Sequence, residues 1–202
     1  MKSIIIPGEA LPDDLKLQNS YMNSGHYISE VVALYDPSSR FAIPLEGIWQ
    51  PKIDEVVIGI VKEARNHVYT VDLSYFGEGL IIDKGYERQS FGEGEAIEAK
   101  VKAIEDKKTI ILGYPKVLIG GLIVKIKPTK VARLIGKANT MINMITEYTK
   151  TRIVIGNNGL IWLKGGNMAL AMEAIAKIES EAHTSGLTDR IKEMLEKKTK
   201  GV

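Results

Sequence analysis

Seven cationic side chains, Lys125, Lys127, Lys130, Arg133, Lys137, Lys150 and Arg152, fall within 28 residues, opposed only by Glu147. Fixed positive charge at that density suits a polyanion, because each anionic group neutralised releases condensed counterions. In its midst stands Gly136-Lys137-Ala138-Asn139. The pattern predicts a helix ending at Gly136 and a second starting near Thr140. Such a junction leaves unpaired backbone N–H donors at the start of the second helix. With the helix dipole, those donors make a site for a phosphate. Read in isolation, the same four residues are also an ordinary helix-to-helix turn with Gly136 as C-cap. A second group, Lys62, Arg65 and His67, surrounds a short break between two β-branched runs, with Tyr75, Phe76 and Arg88 further on. Cations mixed with aromatics fit a single strand, whose phosphates and base faces they meet in turn.

Catalysis has little to work with. The three histidines, His26, His67 and His183, are far apart, and there is no cysteine. Zinc-ligand spacing and disulfides are therefore absent. The acidic run "GEGEAIEAK" lacks the aspartate cluster that a two-metal site requires. No phosphate-loop G-x-x-x-x-G-K-S/T occurs. The expectation is a binding protein with no catalytic residue, metal or cofactor.

The charge is unevenly shared. Residues 121–202 hold 14 Lys/Arg against 7 Asp/Glu, net +7, whereas residues 1–120 hold 13 against 18, net −5. An anionic partner for the C-terminal part follows. The 202 residues suffice for several small domains. The opening "MKSIIIPGEALPDD" is interrupted too early for a signal peptide, and no apolar run approaches membrane-spanning length. A soluble cytoplasmic protein without membrane contact is expected.

Three regions are expected to position these residues. Residues 1–50 read as short strands, "KSIIIPGEAL", "GHYISEVVALYD" and "RFAIPLEGIW", broken by Pro7-Gly8, Asp36-Pro37 and Pro44. They suggest a small β domain. Residues 51–118 contain "DEVVIGIVKEA", "HVYTVDLS", "GEGLII", "EAIEAKVKAIED" and "KTIILGY". Five short strands with a Gly-rich middle suggest a closed OB-type barrel. Residues 119–202 give a strand at "GGLIVKIK", a short helix at "TKVARLI" and a helix at "TMINMITEYTK". The strands "TRIVIG" and "LIWLKG" follow, joined by a turn that includes Asn158-Gly159, a pair that accepts positive φ. "NMALAMEAIAKIESEAH" is a helix with Asn167 as N-cap, and "TDRIKEMLEKKTK" a last helix capped by Thr188 or Asp189. The order β-α-α-β-β-α with one appended helix is that of a type I KH domain.

These residues resemble a known family. "KPTKVARLIGKANTMINMITEYT" and "IVIGNNGLIWLKGG" are similar to the KH region of the RNA-binding cap subunit of the archaeal RNA exosome. "WQPKIDEVVIGIVKEARNHVYTVDL" resembles its S-one-type OB barrel, and "IIIPGEAL" the opening of its N-terminal β domain. The resemblance covers nearly the whole chain, and its fold class is multidomain, β plus α/β. The family's G-x-N-G hairpin stands intact as Gly156, Asn157, Asn158 and Gly159 and is read as a structural turn. Two departures occur. Asn139 stands where the KH loop usually has its second glycine, which weakens close backbone approach, and Ala132 stands where proline is common.

The resemblance implies a non-catalytic cap that binds single-stranded RNA. It implies docking through the N-terminal domain on a hexameric ring of RNase PH-like subunits, beside other cap subunits, with the RNA 3′ end guided into the ring's pore. The expected RNA-binding residues are Lys62, Arg65, His67, Phe76, Arg88, Lys130, Arg133, Gly136, Lys137 and Asn139. The alternatives are a free-standing RNA-binding factor of translation or antitermination, and a subunit that only stabilises the ring.

Overall fold

A computed structural model describes residues 3–12, 15, 20–38, 41–82, 90–105, 109–184 and 186–200. The chain divides into two compact units, Met1–Gln50 and Pro51–Val202. In the first, β1 (Ser3–Ile5), β4 (Ala33–Asp36) and β5 (Phe41–Pro44) form an antiparallel sheet in the order β1-β4-β5. A hairpin of β2 (Ser20–Asn23) and β3 (His26–Ser29) accompanies it. Ile5, Leu11, Ala33, Tyr35 and Ala42 make its small core. Ile4 and Ile6 remain exposed.

The second unit begins with a closed five-stranded barrel of β6 (Val56–Arg65), β7 (Val68–Asp72), β8 (Glu78–Ile82), β9 (Ala96–Ile104) and β10 (Thr109–Val117). Alternation explains the strands: Ile97, Ala99 and Val101 point inward from β9, as do Tyr69 and Val71 from β7, continued by Leu73 just past its end. That alternation outweighs the helical propensity of "EAIEAKVKAIE". β8 and β10 pair in parallel and close the barrel, which leaves no free sheet edge there. The β6–β7 turn is Asn66-His67, both at positive φ (45° and 66°), one residue beyond the break expected from sequence.

The C-terminal half contains β11 (Leu122–Lys125), α1 (Val131–Ile135), α2 (Thr140–Thr149), β12 (Arg152–Ile155), β13 (Leu160–Lys164), α3 (Met168–Glu181) and α4 (Leu187–Lys200). The sheet order is β11-β13-β12, all antiparallel. Asn167 caps α3 by accepting from Leu170 N–H at 3.0 Å, as expected. Helix α4 begins at Leu187, ahead of the expected caps Thr188 and Asp189, because Leu187 itself joins the core. Leu187, Ile191 and Leu195, four apart, form one buried stripe on α4. Tyr148 O–H donates to Glu196 at 2.9 Å and Lys198 pairs with Glu173 at 2.6 Å, tying α4 to α2 and α3.

Strand β13 joins the two halves. Its run "LIWL" is buried on both faces. Ile161 and Leu163 enter the helical core, and Leu160 and Trp162 pack with Ile58 of β6 and with Leu118. Barrel and helical half are therefore one unit, Pro51–Val202.

Candidate nucleic-acid interface

The hairpin between β12 and β13 sets the geometry. Gly159 N–H donates to Gly156 C=O at 3.0 Å and Gly156 N–H to Leu160 C=O at 2.8 Å. Only Gly159 of the four has positive φ, 86°. The turn is a tight type I bend closed by a left-handed glycine, not the expected Asn-Gly turn with two positive φ values. Asn158 is released from that role, and its side chain is 2% exposed. Its Oδ1 accepts from Ile58 N–H at 3.2 Å, and its Nδ2 donates to Ile58 C=O at 2.7 Å and Leu73 C=O at 2.8 Å. Asn157 N–H adds a bond to Val56 C=O at 2.8 Å. A Cβ at Gly156 would collide with Asn158 Oδ1 and lie 2.7 Å from Ile58 N. The hairpin thus bolts the barrel at two places, on β6 and where β7 ends.

The second place controls a loop that bears aromatics. Beyond Leu73, Ser74 turns at φ 55°, with its N–H on Asp72 Oδ1 at 2.8 Å. Lys125 Nζ from β11 reaches Ser74 Oγ at 2.5 Å, and Lys62 from β6 lies 4.0 Å from Asp72 Oδ2. Lys62, Asp72, Ser74 and Lys125 form a connected polar line across both halves. The next residues are Tyr75 and Phe76, ring centroids 4.0 Å apart. Phe76 is 59% exposed. Partial burial holds the Tyr75 hydroxyl above the usual phenol range. An exposed aromatic ring on a loop whose start holds Lys62 and Lys125 through Asp72 and Ser74 is suited to one stacked base and nearby phosphates.

The other expected residues fall into separate groups. Arg65 is exposed and pairs with Glu63 at 3.4 Å, beside the His67 turn. Such an exposed pair contributes little to stability and yields easily to a competing phosphate. Tyr69 is in the core, edge-on to Phe91 at 5.1 Å. Arg88 lies outside the described residues. Lys130 is a correction: it is 6% exposed. The 3-10 turn Pro128–Lys130 that leads into α1 tucks it into the fold, so it offers no open cationic surface.

The loop after α1 is exposed. Gly136 takes φ 74° and ψ 170°, and a Cβ there would lie 2.8 Å from Met141 N. Only glycine meets both conditions. Ala138 (φ 50°) and Asn139 (φ 63°) are left-handed, and α2 starts at Thr140. Asn139 makes no side-chain cap bond to α2. Arg133, Lys137 and Asn139 are exposed. Among the described residues, neither Arg133 nor Lys137 has an ion-pair partner. No group of His, Asp and Glu suited to a metal ion occurs among the described residues.

The KH domain family model matches residues 121–168, from the start of β11 to the start of α3. Over the whole chain, the sequence is 38% identical to Exosome complex component Rrp4 of Pyrococcus abyssi, covering 90% of that protein. It is also 38% identical to the protein of the same name from Picrophilus torridus, covering 98% of this chain and 94% of the relative. The chain belongs to the Rrp4 family of exosome components. A crystal structure described as that of an exosome complex RNA-binding protein superposes with a TM-score of 0.66 at 30% identity. The match covers 76% of this chain and 98% of the other. Within this Rrp4 family member, sequence reasoning named the barrel cations and the KH loop. It missed the link through Asp72, Ser74 and Lys125, since nothing local in sequence brings β11 against the 73–77 loop.

Proposed function

We propose that the chain is a non-catalytic exosome subunit that holds single-stranded RNA and guides its 3′ end to a phosphorolytic ring. The observation that carries this reading is the polar line on which Lys62 and Lys125, two cations from separate halves, meet Asp72 and Ser74 just ahead of the exposed Phe76, in a chain similar end to end to Rrp4 components. The loop at Gly136–Asn139, flanked by Arg133 and Lys137, serves as a second contact for the backbone. Gly136 and Asn139 N–H are bonded within the turn, to Ala132 and Gly136 C=O, so the loop offers a phosphate chiefly the flanking cations, and the Asn139 side chain occupies space that a glycine leaves open. The role asks of this chain capture and orientation of RNA; bond cleavage belongs to RNase PH-like ring subunits. Residues 1–50 supply the docking domain, with exposed Ile4 and Ile6 as apolar contacts. The chain works in the cytoplasm beside other cap subunits; no described helix is long and apolar enough to cross a membrane.

The test has three arms. Co-purification from native extract is expected to recover ring subunits with the chain; recovery of none rejects the exosome role. Fluorescence anisotropy with a single-stranded oligoribonucleotide is expected to show binding that weakens about tenfold or more between roughly 50 and 200 mM salt. A flat salt response rejects phosphate-led binding. The purified chain is expected to leave the RNA uncut with phosphate and magnesium present.

A further inference from the structure

A second aromatic–cation arrangement lies on the strands β9 and β10, distinct from the Phe76 loop and the Gly136–Asn139 loop. These strands pair Leu112 with Val101 and Gly113 with Lys100, then resume at Lys116 with Glu98. Two register shifts result, one on each strand. Lys102 is the extra residue of β9. Tyr114 and Pro115 face a single position and make the bulge of β10. A bulge re-aims a side chain away from the regular face of a sheet.

Tyr114 has φ 53°, a left-handed conformation that a bulky aromatic residue rarely adopts. Its ring is not there to fill a core: the residue is 60% exposed. Lys102 Nζ stands 3.9 Å from the ring centroid. Gly113 permits this, because a Cβ at 113 would lie 2.6 Å from Lys102 Cγ and 2.8 Å from its Cε. The missing side chain is the channel through which the lysine stem crosses to the tyrosine. Lys100 and Lys116 are exposed beside it. Among the described residues, none of these three lysines has an ion-pair partner, though half-buried Glu98 faces Lys116 across the strands.

We propose that Tyr114, with Lys102 over its ring and Lys100 and Lys116 alongside, is a base-stacking station for single-stranded RNA on the β9–β10 face of the barrel. Strain without burial points to a task for the side chain and not for the fold. Three lysines around one exposed ring match a strand that alternates base and phosphate. They suit a protein partner poorly, since lysine is depleted where protein surfaces meet. The inference rests on the reading that this chain binds single-stranded RNA and adds a second place where it does so.

The experiment uses the full chain, an oligoadenylate, and an abasic ribose-phosphate chain of the same length. Tyr114→Ala is expected to weaken oligoadenylate binding about tenfold. Tyr114→Phe retains it, and binding of the abasic chain is the same for both variants and the unaltered protein. Tyr114→Gly supplies an independent check. It relieves the left-handed backbone, so its melting temperature is unchanged or higher while its RNA affinity falls as in Tyr114→Ala. In the unaltered chain, ultraviolet cross-linking is expected to place a nucleotide adduct on the peptide carrying Tyr114. Oligoadenylate binding by Tyr114→Ala equal to the unaltered chain overturns the proposal. So does an equal loss for the abasic chain. Unchanged RNA binding with lost co-purification of ring subunits would assign the patch to protein docking instead. Failure of the unaltered chain to bind oligoadenylate brings down the RNA-binding reading itself and is seen before any variant is made.

Discussion

Two short segments of this chain each open on glycine and use asparagine to opposite ends. Gly136–Asn139 connects α1 to α2, and Gly156–Gly159 connects β12 to β13. In the first, Asn139 supplies a left-handed backbone and its side chain faces solvent. In the second, Asn158 has an ordinary backbone and a buried side chain with three hydrogen bonds to the barrel. Asparagine thus serves these loops through two separable properties, tolerance of positive φ and a two-sided amide. One loop uses backbone freedom to expose a surface. The other uses side-chain chemistry to fasten one.

Removing the buried amide is the strongest way to break this contrast. Asn158→Ala strips the side-chain partners from Ile58 N–H, Ile58 C=O and Leu73 C=O. The expected loss is about 3–5 kcal/mol, from several buried groups at about 1–3 kcal/mol each. Urea unfolding of the full chain checks it, and a stability equal to wild type would show that the bolt holds nothing. Gly136→Ala comes next. It forces a Cβ against Met141 N at a φ of 74°, at a cost of about 1–3 kcal/mol. Thermal melting reads that change. Charge reversal at the polar line, Lys62→Glu with Lys125→Glu, is expected to leave folding near wild type. It should lower RNA affinity about tenfold and flatten its salt dependence by about one unit of slope for each phosphate no longer neutralised. Unchanged binding would detach Phe76 from the RNA path.

Asn139→Gly keeps the left-handed turn, opens the space beside the backbone, and is expected to raise RNA affinity by a factor of a few with stability nearly constant. A fall in affinity would mean that the Asn139 amide itself contacts RNA.

What is legible in the sequence follows the same division. The left-handed state of Asn139 can be read from residue type and spacing. The partner of Asn158 cannot, because Ile58 lies 100 residues away and no local pattern announces it. The run "LIWL" does signal a strand, and its lack of polar alternation is the mark of two covered faces, but not of what covers them. Lys130 reads as surface charge because lysine is rarely buried. Only the turn ahead of α1 reveals otherwise. Tyr114 reads as the end of a strand, since its bulge arises from a mismatch between β9 and β10 that neither strand encodes alone.

Strand β13 carries an evolutionary consequence. With Leu160 and Trp162 packed against Ile58 and its two remaining apolar side chains given to the helices, neither half alone would cover both of its faces. Recombination that spliced this KH module onto a foreign gene would deliver a sticky, half-clothed surface to its host.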